Sequence, residues 1–324
     1  MAAIPTTLLT SKQKNLRPFD TRRDLMPAAD LIELCFAETL SVDGRRYLQK
    51  MRATAKAQAS SQFAALTATR ASLPLAGYVW EEDGQLVGNL SLIPFFHRGR
   101  RINLIANVSV HPDYRQNGIA KALTQEALDK SRRRRISEVW LQVREDNPAA
   151  CALYNSMGFK AQGRRSTWTV NPKCLRGEIP PGRRVTIRSA RHWEQQTAWL
   201  LENYPASMHW HFPLNMQAIR PGLLGLTYRF FSEVRVRQWV AREKDNLLGV
   251  LIWQASHAHA DYLWFAASPE TEEMAIYTIM PFIKRESLLR RPLSLDYPAG
   301  RAEAALLAVG FEFQHTLIWM KVKP

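Results

Sequence analysis

The spacing of apolar and polar residues predicts an alternating succession of strands and helices in the first half of the chain. Runs with strand spacing occupy residues 15–18, 77–82, 85–93, 101–110, 139–144 and 159–170. Helical spacing covers residues 24–36, 43–69 and the stretches that follow Gly118 and Asn147. The Asp83-Gly84 pair between two strand runs is a strong hairpin signal. This order predicts an α/β fold with a mixed sheet.

One short stretch combines the end of a strand with the start of a helix. Val108 and Val110 alternate with a serine, Pro112 ends the strand, and a helical face begins after Gly118. A helix N-terminus has amide hydrogens without partners and carries the positive end of the helix dipole. With little side-chain bulk and the charge of Arg115 beside it, this loop is a candidate phosphate site.

A second helix further along the chain has clear signals at both ends. Asn147 is a good N-cap, Pro148 suits the first helical position, and Gly158 supplies the left-handed conformation that commonly ends a helix. Its apolar face is formed by Ala150, Leu153, Tyr154 and Met157. The tyrosine is therefore expected to lie on the buried side of this helix.

Both stretches match motifs of a known family. The spacing Arg115-x-x-Gly118-x-Ala120 resembles the first signature of the GCN5-related N-acetyltransferases (GNAT), and Val-x-Val-x-Pro-x-Tyr before it also fits. The run from Asn147 to Gly158-Phe resembles the second motif of this family, Asn-x-x-Ala-x-x-Leu-Tyr-x-x-x-Gly-Phe. The two motifs occur in the expected order and separation. The resemblance covers roughly residues 15–170 and implies the acyl-CoA N-acyltransferase fold.

The resemblance also implies acetyl-CoA as co-substrate and assigns residues to it. Loop amides would hold the pyrophosphate, and the preceding strand would present main-chain groups to the pantetheine and the acetyl carbonyl. The cofactor-binding residues expected on this basis are Val108, Val110, Arg115, Gln116, Asn117, Gly118, Ile119, Ala120, Asn147 and Ala150.

Two catalytic roles follow from the same resemblance. The Val110 amide would bind the carbonyl oxygen, and Tyr154 would donate a proton to the sulfur of CoA. The alternative for Tyr154 is an aromatic side chain that only packs on the apolar face of its helix. The general base stays open, because the strand 101–110 has no acidic residue where many relatives carry a glutamate. The candidates are a water oriented by Asn107, and the carboxylates of Glu33, Glu38 and Glu145; His111 is interpreted as a turn residue.

The second half of the chain is interpreted as a degenerate copy of the first, which gives two tandem folds of this family. A hairpin around Asp245 places Gly249 where Gly88 stands in the first half, and Leu306 takes the place of Tyr154. Alignment of Ser268-Pro with His111-Pro puts Glu272 opposite Arg115. The carboxylates of Glu272 and Glu273 are then expected to face, and repel, a pyrophosphate. The alternative is an unrelated α/β domain.

A chain of 324 residues is long enough for two domains of about 150 residues each. Residues 171–184 are rich in proline and glycine and are expected to form a linker. The predicted layout is a flexible tail at 1–14, a catalytic domain at 15–170, the linker at 171–184, and the degenerate domain at 185–324.

The formal net charge of +15, from 44 Lys and Arg against 29 Asp and Glu, requires an explanation. Arginines cluster at 98–101, 132–135, 164–165 and 183–184. The favoured interpretation is a solvated basic face that also attracts an anionic cofactor, because no nucleic-acid module signature accompanies the arginines. A surface for nucleic acid is the less favoured interpretation.

Cysteine and histidine usage points away from metal chemistry. The three cysteines form no disulfide or metal framework, and His209-Trp-His211 is a weak metal pattern, so no metal is predicted. No secretory signal or membrane span is recognisable. The expectation is a cytoplasmic monomer or homodimer without a membrane partner.

The function predicted from these observations is transfer of an acetyl group from acetyl-CoA to a primary amine. The acceptor is a small molecule or a protein amino group, which attacks directly in a ternary complex. A donor with a longer acyl group stays open. The alternative of another class is a non-catalytic sensor or scaffold that binds acetyl-CoA and engages nucleic acid through its basic surface.

Overall fold

The computed structural model describes residues 15–60, 76–232, 234–286 and 289–324. The chain forms two compact units. Unit 1 contains the described residues up to Val143, with Asn147–Gln162 and Trp319–Pro324. Unit 2 contains Arg144–Asp146 and Gly163–Ile318.

Unit 1 contains the predicted strands and helices in the predicted order. Its helices are α1 (Leu25–Phe36), α2 (Val42–Ser60), α3 (Ile119–Arg133) and α4 (Pro148–Ser156). Its strands are β1 (Leu16–Pro18), β2 (Gly77–Glu82), β3 (Gln85–His97), β4 (Arg100–Val110), β5 (Glu138–Arg144) and the start of β6 (Lys160–Val170). The mixed α/β fold class is therefore confirmed. The predicted tail 1–14 and residues 61–69 of the predicted second helix lie outside the described residues.

The sheet of unit 1 runs in the order β1-β2-β3-β4-β5. The pairs from β1 to β4 are antiparallel, and β4 pairs with β5 in parallel. The hairpin between β2 and β3 turns at Asp83 and Gly84, whose φ angles of 49° and 77° suit a tight turn. Helix α3 connects the parallel strands, and α4 follows β5. Both helices therefore begin at the edge of the sheet where β4 and β5 end.

Helices cover both faces of this sheet. On one face, α1 packs against α2 around a core that includes Leu25, Ile32, Leu48 and Met51. On the other face, α3 approaches so closely that a Cβ at Gly88 would lie 2.7 Å from Ile119 Cγ2. Only glycine fits at this contact, which brings the N-terminus of α3 against the sheet.

Unit 2 has a similar succession of elements, with three helices between its first two strands where the described part of unit 1 has two. Its sheet runs in the order β6-β11-β10-β9-β8-β7, with β10 and β11 parallel. A Cβ at Gly249 would lie 2.6 Å from the Ala275 Cβ, which parallels the contact of Gly88 in unit 1. Besides the end of β6, the elements are β7 (Arg183–Ile187), α5 (Trp193–Asn203), α6 (Met216–Ile219), α7 (Gly222–Ser232), β8 (Val236–Glu243), β9 (Asn246–Gln254), β10 (Asp261–Ala267), α8 (Glu272–Ile283), β11 (Leu293–Pro298), α9 (Glu303–Ala308) and the start of β12 (Glu312–Val322). Descent of unit 2 from a second copy stays a hypothesis.

The compact units divide the chain differently from the predicted layout. The predicted linker 171–184 lies in unit 2, where Leu175 is fully buried in the hydrophobic core and β7 begins at Arg183. The last six residues belong to unit 1: the Trp319 ring lies 6.3 Å from that of Trp140, and Lys321 Nζ lies 3.1 Å from Glu138 Oε1. These are contacts between distant parts of the chain, which local composition does not record.

Candidate functional site

Strands β4 and β5 separate toward their carboxyl ends. Their register runs from Ile102 opposite Glu138 to Ile105 opposite Leu141. Beyond Ile105, β4 has a bulge at Asn107, whose φ is 52°, and its register with β3 shifts there by one residue. A bulge bends a strand and increases its twist. The result is a gap between the ends of β4 and β5, at the edge of the sheet where α3 and α4 begin.

The main chain of β4 turns its predicted donors toward this gap. The His111 amide donates to the Val87 carbonyl of β3 at 2.9 Å. Because successive residues of a strand alternate in direction, the N–H and C=O groups of Val108 and Val110 point away from β3. The Val110 carbonyl accepts hydrogen bonds from the Cys35 thiol at 3.2 Å and from Arg115 Nε at 3.3 Å. The structure therefore places Val110, Cys35 and Arg115 together at the gap.

The loop between β4 and α3 has the geometry of an anion site. Gln116 and Gly118 have φ angles of 64° and 77°, and successive amides in such alternating conformations form a concave nest of N–H groups. The N-cap residue Gly118 contributes no side-chain hydrogen bond, so the first amides of α3 are not capped by it. A Cβ at Gly118 would meet no atom within 4 Å, so the space before the loop is open. The exposed loop residues 115–118 fit a pyrophosphate group.

The other residues expected to bind the cofactor differ in which main-chain or side-chain groups are available for a contact. Ile119 is 3% exposed, so its main-chain amide rather than its side chain faces an anion, and Ala120 is half-buried. The side chain of Asn117 donates from Nδ2 to the Tyr114 carbonyl at 3.3 Å, which holds the turn together. Asn147 Oδ1 accepts the Ala150 amide at 3.0 Å, which confirms the predicted N-cap of α4. The cofactor contacts of these residues stay predictions.

Tyr154 is a buried phenol on the apolar face of α4. Its side chain is 6% exposed and meets the Phe159 ring edge-on, with ring centroids 5.8 Å apart. Burial, with a smaller contribution from Cys151, raises the pKa of Tyr154 to about 12. A phenol with this pKa keeps its proton at neutral pH, which is the state required of a proton donor. The packing and the chemical interpretation are therefore compatible for this residue.

A polar network that the sequence reasoning missed lies beside the bulge. Asn107 Nδ2 donates to Tyr47 of α2 at 3.3 Å and to Ser91 Oγ at 3.1 Å, and Asn89 Nδ2 donates to the Asn107 carbonyl at 2.9 Å. Asn89 Oδ1 is buried and has no hydrogen-bond partner in the part of the chain that the structure describes. In the sequence, this network is indicated only by two polar residues, Asn89 and Ser91, within an apolar strand.

The carboxylates considered as general bases are mostly engaged elsewhere. Glu33 Oε2 lies 2.5 Å from Arg52, and Glu145, in unit 2, lies 2.5 Å from Arg164 Nε. The hydrogen bond from Arg164 lowers the pKa of Glu145, which makes it a weaker base. Glu38 is exposed in the turn after α1. His111 uses its ring to accept the Asp113 amide at 3.4 Å.

The corresponding region of unit 2 corrects one expectation. Glu272 does not face an open surface: it is 7% exposed and accepts hydrogen bonds from the Tyr297 hydroxyl at 2.8 Å and Arg301 Nη2 at 2.6 Å. Only Glu273 is exposed. The prediction that both carboxylates face a pyrophosphate is therefore wrong, because an internal guanidinium neutralises Glu272. Leu306, opposite Tyr154 in the alignment, is fully buried and has no ionisable group.

Two further observations concern metals and membranes. His209 Nε2 lies 2.6 Å from the Tyr204 carbonyl oxygen, and burial lowers the pKa of His211 to about 4. The described residues contain no group of three or more His, Cys, Asp or Glu side chains placed to hold a metal ion. Among the same residues, no helix combines the length and the apolar character that a membrane span requires.

Solved structures share this fold. A tandem GNAT protein from the clavulanic acid biosynthesis pathway aligns with a TM-score of 0.50 and 15% identity, over 95% of this chain and 98% of that one. A GCN5-related N-acetyltransferase from Sphaerobacter thermophilus aligns with a TM-score of 0.55 and 13% identity, over 95% of both chains. These likenesses confirm the predicted fold class.

Curated relatives match a shorter part of the chain. The [Ribosomal protein bS18]-alanine N-acetyltransferase of Escherichia coli (strain K12) is 43% identical over 53 residues, which cover 16% of this chain and 36% of that protein. N-alpha-acetyltransferase 30 of Schizosaccharomyces pombe is 32% identical over 87 residues, which cover 26% of this chain and 58% of that protein. The chain thus spans about a third of the length of the first curated relatives it matches.

The family comparison covers the site itself. Residues 45–159 match the model described as Acetyltransferase (GNAT) family. This segment contains the bulge of β4, the loop before α3, and Tyr154. Residues 45–159 are therefore similar to the Acetyltransferase (GNAT) family, and the chain shares its fold with solved structures of that kind.

Proposed function

We propose that this chain transfers the acetyl group of acetyl-CoA to a primary amine at the gap between β4 and β5 of unit 1. One observation carries the proposal: the main-chain groups of Val108 and Val110 point to that gap, beside an uncapped helix N-terminus and Arg115. A thioester with a phosphate-bearing tail needs hydrogen-bond donors at one end and an anion site at the other. Both lie on one stretch of thirteen residues.

Each group of residues around the gap has a different role in the proposed reaction. Acetyl-CoA, when bound, supplies an activated acyl group and an anionic tail. Residues 115–120 hold the tail through their amides and the charge of Arg115. The Val110 amide stabilises negative charge on the carbonyl oxygen, and Tyr154 holds the proton that the departing sulfur requires. These roles rest on the positions of the groups and on the family resemblance.

We further propose that the acceptor is the N-terminal amino group of a peptide chain. The polar groups beside the bulge, Tyr47, Ser91 and Asn107, are neutral, and Glu33 is ion-paired. Such a site is suited to an amine that already loses its proton near neutral pH. An α-amino group, with a pKa near 8, is neutral in roughly a quarter of molecules at pH 7.5, against about 0.1% for a lysine side chain. The N-acetyltransferase names of the curated relatives agree with this choice.

Steady-state acetyl transfer to two matched peptides tests the proposed function. One peptide carries a free N-terminal alanine and no lysine; the other is blocked at its N-terminus and carries one lysine. We expect acetyl-CoA consumption with the first and at least tenfold less with the second at pH 7.5. Gly118→Val serves as the site control, because a β-branched residue strains at a φ of 77°. Tight CoA binding by calorimetry without turnover on any amine would instead favour a sensor or scaffold.

Asn107 gives a separate test of how the amine loses its proton. The Asn107→Gly variant keeps the positive φ of the bulge and removes the side-chain amide. If this amide orients a water that accepts the proton, turnover falls by about tenfold while the Kd for CoA stays unchanged. Asn103→Gly in the same strand is the control, because Asn103 hydrogen-bonds Ser131 of α3 instead. Equal turnover in Asn107→Gly and the unmodified chain contradicts the water role.

A further inference from the structure

An exposed basic surface lies at the end of unit 1 where β4 begins. It consists of the tip of the β3–β4 hairpin and the end of α3, and we call it the hairpin surface; its residues are Phe96, Arg98, Arg101, Arg134 and Arg135. All five are exposed, and Phe96 is 75% exposed. None of the four arginines forms an ion pair with another residue in the described part of the chain. The nearby carboxylates Asp129 and Glu126 are already paired with Arg132 and Arg133.

The hairpin holds an aromatic ring and a guanidinium side by side. Arg98 and Gly99 form a two-residue turn with φ angles of 48° and 75°, and Phe96 lies directly opposite Arg101 in the register. Cross-strand partners share a face of the sheet. Two residues further along, Asn103 occupies the same face and donates to Ser131 of α3 at 2.9 Å. The face that carries Phe96 and Arg101 therefore looks toward the end of α3.

A cavity of about 360 Å³ lies between the hairpin and the end of α3. Its walls include the apolar side chains of Leu92, Pro94 and Phe96 and the cations of Arg101, Lys130 and Arg134. Lys130 Nζ lies over the Tyr78 ring at 5.1 Å, and burial together with the charge of Arg134 lowers the pKa of Lys130. The site thus combines apolar walls with an uncompensated density of positive charge.

The hairpin surface carries more positive charge than the dipole of α3 requires. Cations at the end of a helix interact favourably with its dipole, and Arg132 and Arg133 already supply them to α3. Four further arginines without carboxylate partners repel one another, and an anionic partner relieves that repulsion. Guanidinium groups match the geometry of phosphates, and an exposed ring beside them offers a stacking surface for a base.

We propose that the hairpin surface binds single-stranded nucleic acid, with phosphates on the arginines and a base stacked against Phe96. An acidic protein segment would also use the arginines; the flat exposed ring beside them favours a nucleic-acid base, which stacks on aromatic side chains. Arg101 and Val110 are nine residues apart along β4, which corresponds to roughly 30 Å. The surface is therefore separate from the gap at Val110, and the proposal does not depend on the proposed acetyl transfer.

The test measures the affinity of a fluorescein-labelled 15-nucleotide RNA by anisotropy at several salt concentrations. The variant Arg98→Gln/Arg101→Gln/Arg134→Gln is expected to weaken binding at least tenfold. It should reduce the slope of log Kd against log salt by about 2, since each phosphate contact on a single strand contributes about 0.7. The charge-matched control Arg176→Gln/Arg184→Gln/Arg237→Gln removes three exposed arginines of unit 2 and should change the affinity less than threefold. Phe96→Ala should weaken binding about fivefold without a change in slope.

Three outcomes overturn the proposal. The first is an absence of RNA and DNA binding by the unmodified chain at low salt. The second is an equal loss in both triple variants, which would show a diffuse effect of net charge. The third is competition by poly-glutamate as effective as unlabelled RNA together with an unchanged affinity in Phe96→Ala, which would identify an acidic protein as the partner.

Discussion

The Tyr154→Phe variant is expected to turn over acetyl-CoA about 100-fold more slowly, while its Kd for CoA changes less than twofold. The substitution removes one hydroxyl from a side chain that is 6% exposed and leaves the ring contact with Phe159 in place. If the phenol supplies the proton to the departing sulfur, its loss removes a contribution that general acids typically make at 10²- to 10⁴-fold. Turnover and calorimetry on the same preparation separate the two effects.

Tyr78→Phe is the matched control for this variant. Tyr78 is also a buried phenol of unit 1, 4% exposed, and burial together with Glu126 raises its pKa to about 12. It lies beneath Lys130 on β2, which β3 separates from β4. We expect Tyr78→Phe to turn over at the normal rate. Equal losses of turnover and CoA affinity in Tyr154→Phe would assign Tyr154 a packing role instead.

The dependence of the rate on pH tests the raised pKa of Tyr154 directly. A raised pKa means that Tyr154 holds its proton below about pH 12 and loses it only above that value. The rate should therefore rise with pH as an α-amino acceptor with a pKa near 8 becomes neutral, and then stay level up to pH 10. We expect the Tyr154→Phe variant to show the same dependence of rate on pH, with a lower rate throughout. A fall in the normal rate between pH 8 and 10 that disappears in Tyr154→Phe would contradict the raised pKa.

The parts of the site that depend on short segments could be predicted from sequence. The cap formed by Asn147, the left-handed residue at Gly158, and the hairpin at Asp83-Gly84 all reflect local backbone preferences. Such preferences act within a few residues, so a single sequence records them. They were sufficient to locate the strand end, the loop proposed to bind a phosphate, and the helix that carries Tyr154.

The parts that depend on contacts between distant residues could not be predicted. The hydrogen bond from Asn107 to Tyr47 spans 60 residues, and Asn107 lies in a bulge within an otherwise regular apolar strand. The ion pair between Glu272 and Arg301 spans 29 residues and reversed the expected role of the glutamate. In each case the position of a partner decides what the side chain does, and a pattern along the chain does not contain that position.

The Glu272–Arg301 pair has a physical consequence for unit 2. Glu272 accepts hydrogen bonds from both Arg301 and Tyr297, and Arg301 also donates to Asn203 at 2.9 Å. The burial of Tyr297, followed by the charge of Glu272, raises the pKa of this phenol, so it remains a hydrogen-bond donor. A guanidinium held by an internal carboxylate is not available to a phosphate. Glu272, at the start of α8, is therefore engaged by partners within unit 2.

Glu272→Ala is accordingly expected to lower the free energy of unfolding by about 3 kcal/mol, measured by urea denaturation. Removing Glu272 leaves the Arg301 guanidinium with only the exposed Glu202, 3.9 Å away, and the Tyr297 hydroxyl without its acceptor. Breaking a buried pair typically costs about 3–5 kcal/mol, and the remaining carboxylate places the expected loss at the lower end. Glu273→Ala removes the adjacent exposed carboxylate and should change the free energy of unfolding by less than about 0.5 kcal/mol.

CoA titration of the same two variants separates stability from ligand binding. Because the proposed CoA site lies wholly in unit 1, a folded Glu272→Ala chain should bind one CoA with the normal Kd. Equal stability of the Glu272→Ala and Glu273→Ala variants would show that the ion pair contributes little to unit 2. A stoichiometry of two CoA molecules in Glu272→Ala would show that this carboxylate had been blocking a second site, and would reverse its assignment as a structural residue.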